Sequence, residues 1–293
     1  MYILINFLIF VITLFLYIHI YFHIKCSNYL EIYEIENISK QNIEEIYSLK
    51  QPFLFNYSDS NMDFIEAINM DYLKKNYGTF DIRIYNKNDT NIAIPMNLIT
   101  CCDLFNKDVS NNYYSEHNND FLEETTLLKY FSDSDIFLRP MNTISKNYDI
   151  LMGSIGSYSN LKYSVNFVNI LYVNEGEIDI VMTSPNNNKY LHVNDVNENF
   201  EYISKIDYYN PDEKYRKDFN KVKFMNIKLK KGSFLSIPAY WFYCIKIVTD
   251  DTIVSFFKYK TFMNSMAILP DFFKKILHDN NIKRNFLKVI EAK

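Results

Sequence analysis

The sequence predicts a mainly β domain of the sandwich or barrel type, with flanking helices and one membrane-spanning helix ahead of it. Three observations carry this reading. Residues 1–24 contain no Asp, Glu, Lys or Arg. Between Asn166 and Tyr259, short apolar runs recur at regular intervals and are closed by turn residues, which is the spacing of an all-β domain. Amphipathic helical stretches stand before and after those runs. A hydrophobic share of 48% over 293 residues is ample for a core, which excludes a disordered chain. A net charge of -4 with no long basic run argues against nucleic acid as a partner.

As a helix, Met1–Ile24 reaches about 36 Å, enough to cross the hydrocarbon of a bilayer. Tyr17, His19, Tyr21 and His23 gather at its carboxyl end, where a helix meets the interface, and Lys25 follows at once. No basic start and no small-x-small cleavage site precede Lys25, so an uncleaved single-pass anchor is favoured over a signal peptide. A buried core helix is the weakest of the three readings, because apolar residues run all the way round. Lys25 and Lys40 lie after the span and lean the main domain toward the cytosol. The sequons at Asn37, Asn56 and Asn88 are what so Asn-rich a chain produces by chance.

Residues 25–49 are mixed and polar and read as a stalk. Pro52–Phe55 reads as a short strand, and Asn61–Asn69 and Asp71–Asn76 as helices. Asp71 is placed to cap the second, and Gly78 to end it in the left-handed region. Phe80–Tyr85 alternates apolar and polar side chains, as a half-buried strand does, and Glu123–Phe131 reads as a helix. From Asn166, NFVNILYV and IDIVMTS are joined at Glu175–Gly176 and read as a hairpin. Val222–Leu229 and Phe234–Ile237 are strands. Phe242–Val248 and Thr252–Tyr259 read as a second hairpin. Asp271–Leu277 and Ile282–Ile290 are helices that close the chain.

The four cysteines (Cys26, Cys101, Cys102, Cys244) match no zinc spacing and read as free thiols. Tyr and Phe, at 25 and 24, are abundant while Gly, at 5, is scarce. That bias follows AT-rich codons, as in a large DNA virus or an AT-rich parasite, and says little about function. Among the five histidines, only His192 with Asp195 has a spacing worth weighing for metal, and a solvated loop is the favoured account. Neither a nucleophile elbow nor a complete phosphate loop is present.

Two segments carry a resemblance: Tyr163–Pro185, YSVNFVNILYVNEGEIDIVMTSP, and Lys230–Tyr243, KKGSFLSIPAYWFY. Together they resemble the JmjC-like, cupin-like branch of the 2-oxoglutarate oxygenases. The resemblance implies a double-stranded β-helix, a jelly roll, over residues 50–270. The span at 1–24 and the stalk at 25–49 precede it, and the C-terminal helices at 271–293, which in relatives can form a homodimer, follow. It also implies iron(II) and 2-oxoglutarate as cofactors and protein hydroxylation or demethylation as the reaction.

The scaffold positions of the family are present as Asn169, Gly176, Pro185, Gly232, Pro238 and Trp241. The chemical ones are not. Counting from Asn169, the first His position falls on Tyr163 and the carboxylate position on Val165. Counting from Pro238, the second His position falls on Tyr243. The position of the basic residue that pairs with the cosubstrate falls on Ile178. Valine cannot ligate a metal, a neutral phenol is a poor ligand for iron(II), and isoleucine cannot pair with a carboxylate. The sequence therefore leads to the expectation of a degenerate member without cofactors. It would act as a structural or binding module at a membrane, on a virion or host membrane if the source is viral, with protein partners. An active oxygenase using other ligands is the alternative.

Overall fold

A computed structural model describes residues 2–36, 39–56, 68–87, 89–194 and 200–277. In chain order its strands are β1 (Tyr33–Ile35), β2 (Phe53–Asn56), β3 (Asp81–Asn86), β4 (Asp89–Asn97), β5 (Tyr113–Ser115), β6 (Thr143–Gly153) and β7 (Lys162–Ser164). They continue as β8 (Val168–Glu175), β9 (Glu177–Thr183), β10 (Glu201–Ile203), β11 (Met225–Lys230), β12 (Ser233–Pro238), β13 (Phe242–Ile247) and β14 (Ile253–Thr261). The described strands form a larger sheet in the order β1-β2-β12-β8-β14-β6-β5-β3-β4 and a smaller one in the order β10-β7-β13-β9-β11.

The interior lies between the two sheets. Leu171 and Val173 of β8, Leu235 and Ile237 of β12 and Val254 and Phe256 of β14 meet Ile178, Ile180 and Met182 of β9 and Tyr243, Ile245 and Ile247 of β13. These positions alternate along each strand, as side chains that share one sheet face must. The alternate residues of the larger sheet, among them Ile150, Ile170, Tyr172, Phe234 and Phe257, are also buried, in a separate cluster on its outer face. Trp241 is fully buried in the interior at the corner after β12.

The helices that cover that outer face are α2 (Lys40–Leu49), α3 (Met70–Tyr77), α4 (Leu98–Lys107), α5 (Asn119–Glu124) and α6 (Leu128–Leu138); α1 (Tyr2–Ile24) precedes them and has no buried residue. Further along come α7 (Asn188–Leu191), α8 (Glu213–Phe219) and α9 (Phe262–Ala267), and residues 269–277 are helical as well. The segment assigned to a stalk contains α2, which is capped by Ser39. Its Ile43 and Tyr47 are buried, and the Tyr47 hydroxyl donates to the Leu138 carbonyl at 2.7 Å.

Several local expectations need correction. Both proposed hairpins are crossings. β8 lies in the larger sheet and β9 in the smaller, and β13 and β14 are divided the same way. The turn at Gly176 (φ +78°) carries the chain from one sheet to the other. Turn residues show where a chain reverses; they do not show whether the flanking strands pair. This repeated change of sheet, also made between β11 and β12, is the winding of a double-stranded β-helix.

The cap of α3 is Asn69, which accepts from the Tyr72 N–H at 2.8 Å, and not Asp71. Gly78 is right-handed (φ -60°). It is needed for space, because a Cβ there would come within 2.5 Å of the Ile99 side chain and the Lys74 carbonyl. The helix expected at Glu123–Phe131 is two helices, broken at the extended residue Thr125, whose hydroxyl donates to the Phe121 carbonyl at 2.7 Å. The helix expected at Ile282–Ile290, His278 and most of Asn61–Asn69 lie outside the described residues.

Candidate functional site

One end of the interior is polar. β7 is short, and its pairing sets which side chains enter the barrel. Lys162 pairs in register with Tyr243 of β13, and Ser164 with Glu201 of β10. Directly paired residues share a face, so Lys162, Ser164, Glu201 and Tyr243 point inward together. From the larger sheet, Asp149 shares the inward alternation of Leu151, and Lys258 that of Phe256.

These groups form one buried network. The Lys162 ammonium lies 2.6 Å from Glu116 and 2.7 Å from Glu201. Lys258 lies 3.1 Å from both Asp149 and Glu201. His117 stands among the carboxylates, 3.4 Å from Glu116, 3.6 Å from Glu201 and 3.9 Å from Asp149. Asp149 also accepts from the backbone N–H groups of His117 at 3.1 Å and Asn118 at 2.7 Å, which holds His117 in a left-handed conformation (φ 62°). The Asn118 amide in turn donates to the Ser115 hydroxyl and to the Ile150 carbonyl, tying this loop to β5 and β6.

The protonation of the network follows from this geometry. Burial pushes the Glu116 carboxyl up, but the charges of Lys162 and His117 outweigh it and hold it at about 2. Burial likewise opposes ionisation of Glu201, and Lys162 and Lys258 hold it well below the usual carboxylate range. Both lysines lose solvation yet are raised, Lys162 by Glu116 and Glu201 and Lys258 by Glu201 and Asp149. The Tyr243 phenol is pushed up by burial and by Glu201, so it stays neutral. Glu116, Glu201 and the two ammonium groups thus remain ionised in a buried site.

The four positions named from the sequence fall into two places. Tyr243 and Ile178 are both interior, but Ile178 pairs with Ile247 while Tyr243 pairs with Met182. Four residues along a strand separate them, about 13 Å. Tyr163 points away from the interior. It stacks on Tyr202 (5.0 Å, 7°) and meets Phe242 edge-on at 4.8 Å on the outer face of the smaller sheet. Val165 is buried beside Tyr202 and Ile268. Tyr163 and Val165 line a shallow cleft of about 280 Å³ with Tyr202, Tyr240, Asp271 and Lys274. His192 is bonded to Asp218 at 2.9 Å, and its supposed partner Asp195 lies outside the described residues.

Sequence reasoning missed Glu116, His117, Asp149, Lys162, Glu201 and Lys258. A signal existed for three of them. Lys258 and Asp149 interrupt apolar runs at inward-facing positions, and Lys162 immediately precedes a counted position.

The family model for a cupin-like domain matches residues 39–264. The chain belongs to the cupin-like family. No curated protein matches it. In this cupin-like protein the residues present do not fit a facial iron site of two imidazoles and one carboxylate. One imidazole stands in the cluster, and all three carboxylates beside it are paired with ammonium groups at 3.1 Å or less. Among the described residues, no group of three or more His, Cys, Asp or Glu side chains is arranged to hold a metal ion. At the amino terminus, α1 is long and apolar enough to cross a membrane, and none of its residues is buried.

Proposed function

We propose that this cupin-like protein is a membrane-anchored structural or binding module whose oxygenase chemistry has been replaced by an internal salt-bridge network. One observation carries the reading. Directly across from Tyr243, the position of the family's second histidine, stands Lys162, whose ammonium bridges Glu116 and Glu201. A tethered cation thereby supplies the positive charge that a dication would otherwise bring to buried carboxylates. The uncharged α1 supports a single-pass anchor, with the domain on the cytosolic side.

The test is metal and cosubstrate analysis of the purified full chain. The expected result is no iron(II) retained after anaerobic loading and no consumption of 2-oxoglutarate. Stoichiometric iron with 2-oxoglutarate turnover would overturn the reading. For the anchor, alkaline carbonate should leave the protein in the membrane pellet, and ready extraction would refute it.

A second reading, an oxygenase with non-standard ligands acting as a protein hydroxylase or demethylase, is favoured by the closeness of His117 to three carboxylates. It requires Lys162 and Lys258 to surrender their partners, and the same iron analysis decides it.

A further inference from the structure

The carboxyl-terminal part of α1 does not stand clear of the domain. Leu16, His19, Ile20 and His23, one stripe at helical spacing, are the residues of α1 that lose exposure, and α9 is the element packed along it. The docking is reinforced where the helix ends. The Lys50 ammonium donates to the Phe22 carbonyl and, at 3.2 Å, to that of Lys25, and lies 4.2 Å over the Phe22 ring. The Cys26 thiol donates to the Ala239 carbonyl at 3.2 Å.

This leaves Tyr2–Phe15 free, about 21 Å of helix against a hydrocarbon thickness of about 30 Å. A spanning α1 must therefore carry its docked turns, and α9 with them, into the last 9 Å or so of the apolar layer. A tilted helix would carry them deeper.

The helix that follows α9 has the surface such a depth demands. Leu269, Phe273, Ile276 and Leu277 recur at i, i+4, i+7 and i+8, one face of a helix. They are 40%, 63%, 54% and 65% exposed. Phe262, at the start of α9, is also exposed. Lys260 and Lys275 stand over the Phe200 ring at 4.0 and 4.8 Å, which places cations beside this apolar face. An apolar face flanked by lysines is the pattern of a helix lying in a lipid interface.

We propose that residues 269–277, with Phe262, form a second membrane contact, embedded in the boundary between headgroups and acyl chains beside the point where α1 enters. This rests on α1 being a span. It fixes the polar end of the barrel's own sheet, the end of β14 that leads into α9, toward the membrane.

The test uses the full chain, Cys26→Ser, inserted in phosphatidylcholine–phosphatidylserine vesicles and carrying an environment-sensitive fluorophore at Phe273→Cys. Leu277→Cys serves as a second site should the first disturb folding. Val109→Cys, beside the opposite end of β6, is the aqueous reference. The expected result is a blue-shifted emission at 273, quenched several-fold more by nitroxide on the acyl chains than at 109, and shielded from aqueous iodide. A carbonate-resistant protein whose probe at 273 is quenched by iodide as at 109 would overturn the second contact and leave the anchor standing. Shielding from both quenchers would show another protein surface covering the face, and would overturn it too. Carbonate extraction would remove the anchor, and this contact with it.

Discussion

Replacing Lys162 by methionine removes one charge from the network and keeps the approximate volume. Glu116 and Glu201 then remain buried with fewer counter-charges. Removing one partner of a buried ion pair costs roughly 3–5 kcal/mol. The carboxylates give the same sign: the charges of Lys162 and His117 hold Glu116 at about 2 against an ordinary 4.5. For a domain of this size the loss corresponds to a fall in Tm of roughly 6–20 °C. Urea unfolding of the full chain in detergent reads the loss directly, because the single tryptophan, Trp241, is fully buried.

The pH dependence makes the prediction specific. In the parent, the folded-state pKa of Glu116 is depressed. Its contribution is therefore complete above about 4.5 and is lost as pH falls toward about 2. In Lys162→Met, burial is the largest remaining influence on Glu116, and it favours the neutral acid. Relative to the parent, the variant should gain stability as pH is lowered from 7 toward 5, a window in which Glu116 of the parent contributes no slope. Adding Glu116→Gln should recover part of the loss. A loss below about 1 kcal/mol, or a variant whose acid limb matches the parent's, would show that the network does not hold this end of the barrel.

Other consequences follow from single positions. Gly176→Ala should destabilise more than Gly232→Ala, as measured by urea midpoints. Both glycines have positive φ, but a Cβ at 176 would lie 2.2 Å from the Thr252 hydroxyl while nothing lies within 4 Å at 232. Equal losses would mean that backbone strain alone decides. Thiol titration at pH 8 should be slow in the folded protein, with Cys26 the first to react. Cys101, Cys102 and Cys244 are buried, and burial pushes Cys101 up to about 12 and Cys102 to about 11. Rapid reaction of three or four thiols would contradict that packing. Asp149→Asn keeps the shape but removes a charge and should release the His117–Asn118 loop, visible as faster amide exchange at both residues. Unchanged exchange would show that the loop does not depend on the carboxylate.

What the sequence revealed depended on the kind of signal. The apolar α1, the helix at Met70–Tyr77 and the order of the strands read from the sequence follow from local periodicity and turn chemistry and survive into the fold, whereas the caps assigned to that helix do not. The sheet to which each strand belongs does not. Gly176 marks a reversal whether β8 and β9 pair or cross. The site was obscured by parity. Counting residues from Asn169 locates Tyr163 along the chain, but the register of β7 on β13 turns Lys162 inward and Tyr163 outward. A lysine in a strand is normally read as solvent-facing, and only the partners brought from positions 116 and 201 make an inward lysine tolerable.

A set of leucines could have filled this end of the barrel with equal or greater stability, since buried ion pairs rarely exceed apolar packing in net energy. The network differs in what it forbids. Its charges come from the loop after β5 and from β6, β7, β10 and β14, segments far apart in the chain. β7 and β10, which supply Lys162 and Glu201, are only three residues long each. Strands so short have little hydrophobic pattern with which to define a register. A slip of one residue would turn Lys162 outward, taking its ammonium from Glu116 and leaving Glu201 with Lys258 alone. An apolar filling would penalise that slip by a few methylene groups, whereas the salt bridges penalise it by buried carboxylates short of counter-charge. The arrangement thus fixes the pairing of the strands that close the barrel's mouth, a requirement that persists whether or not the mouth performs any chemistry.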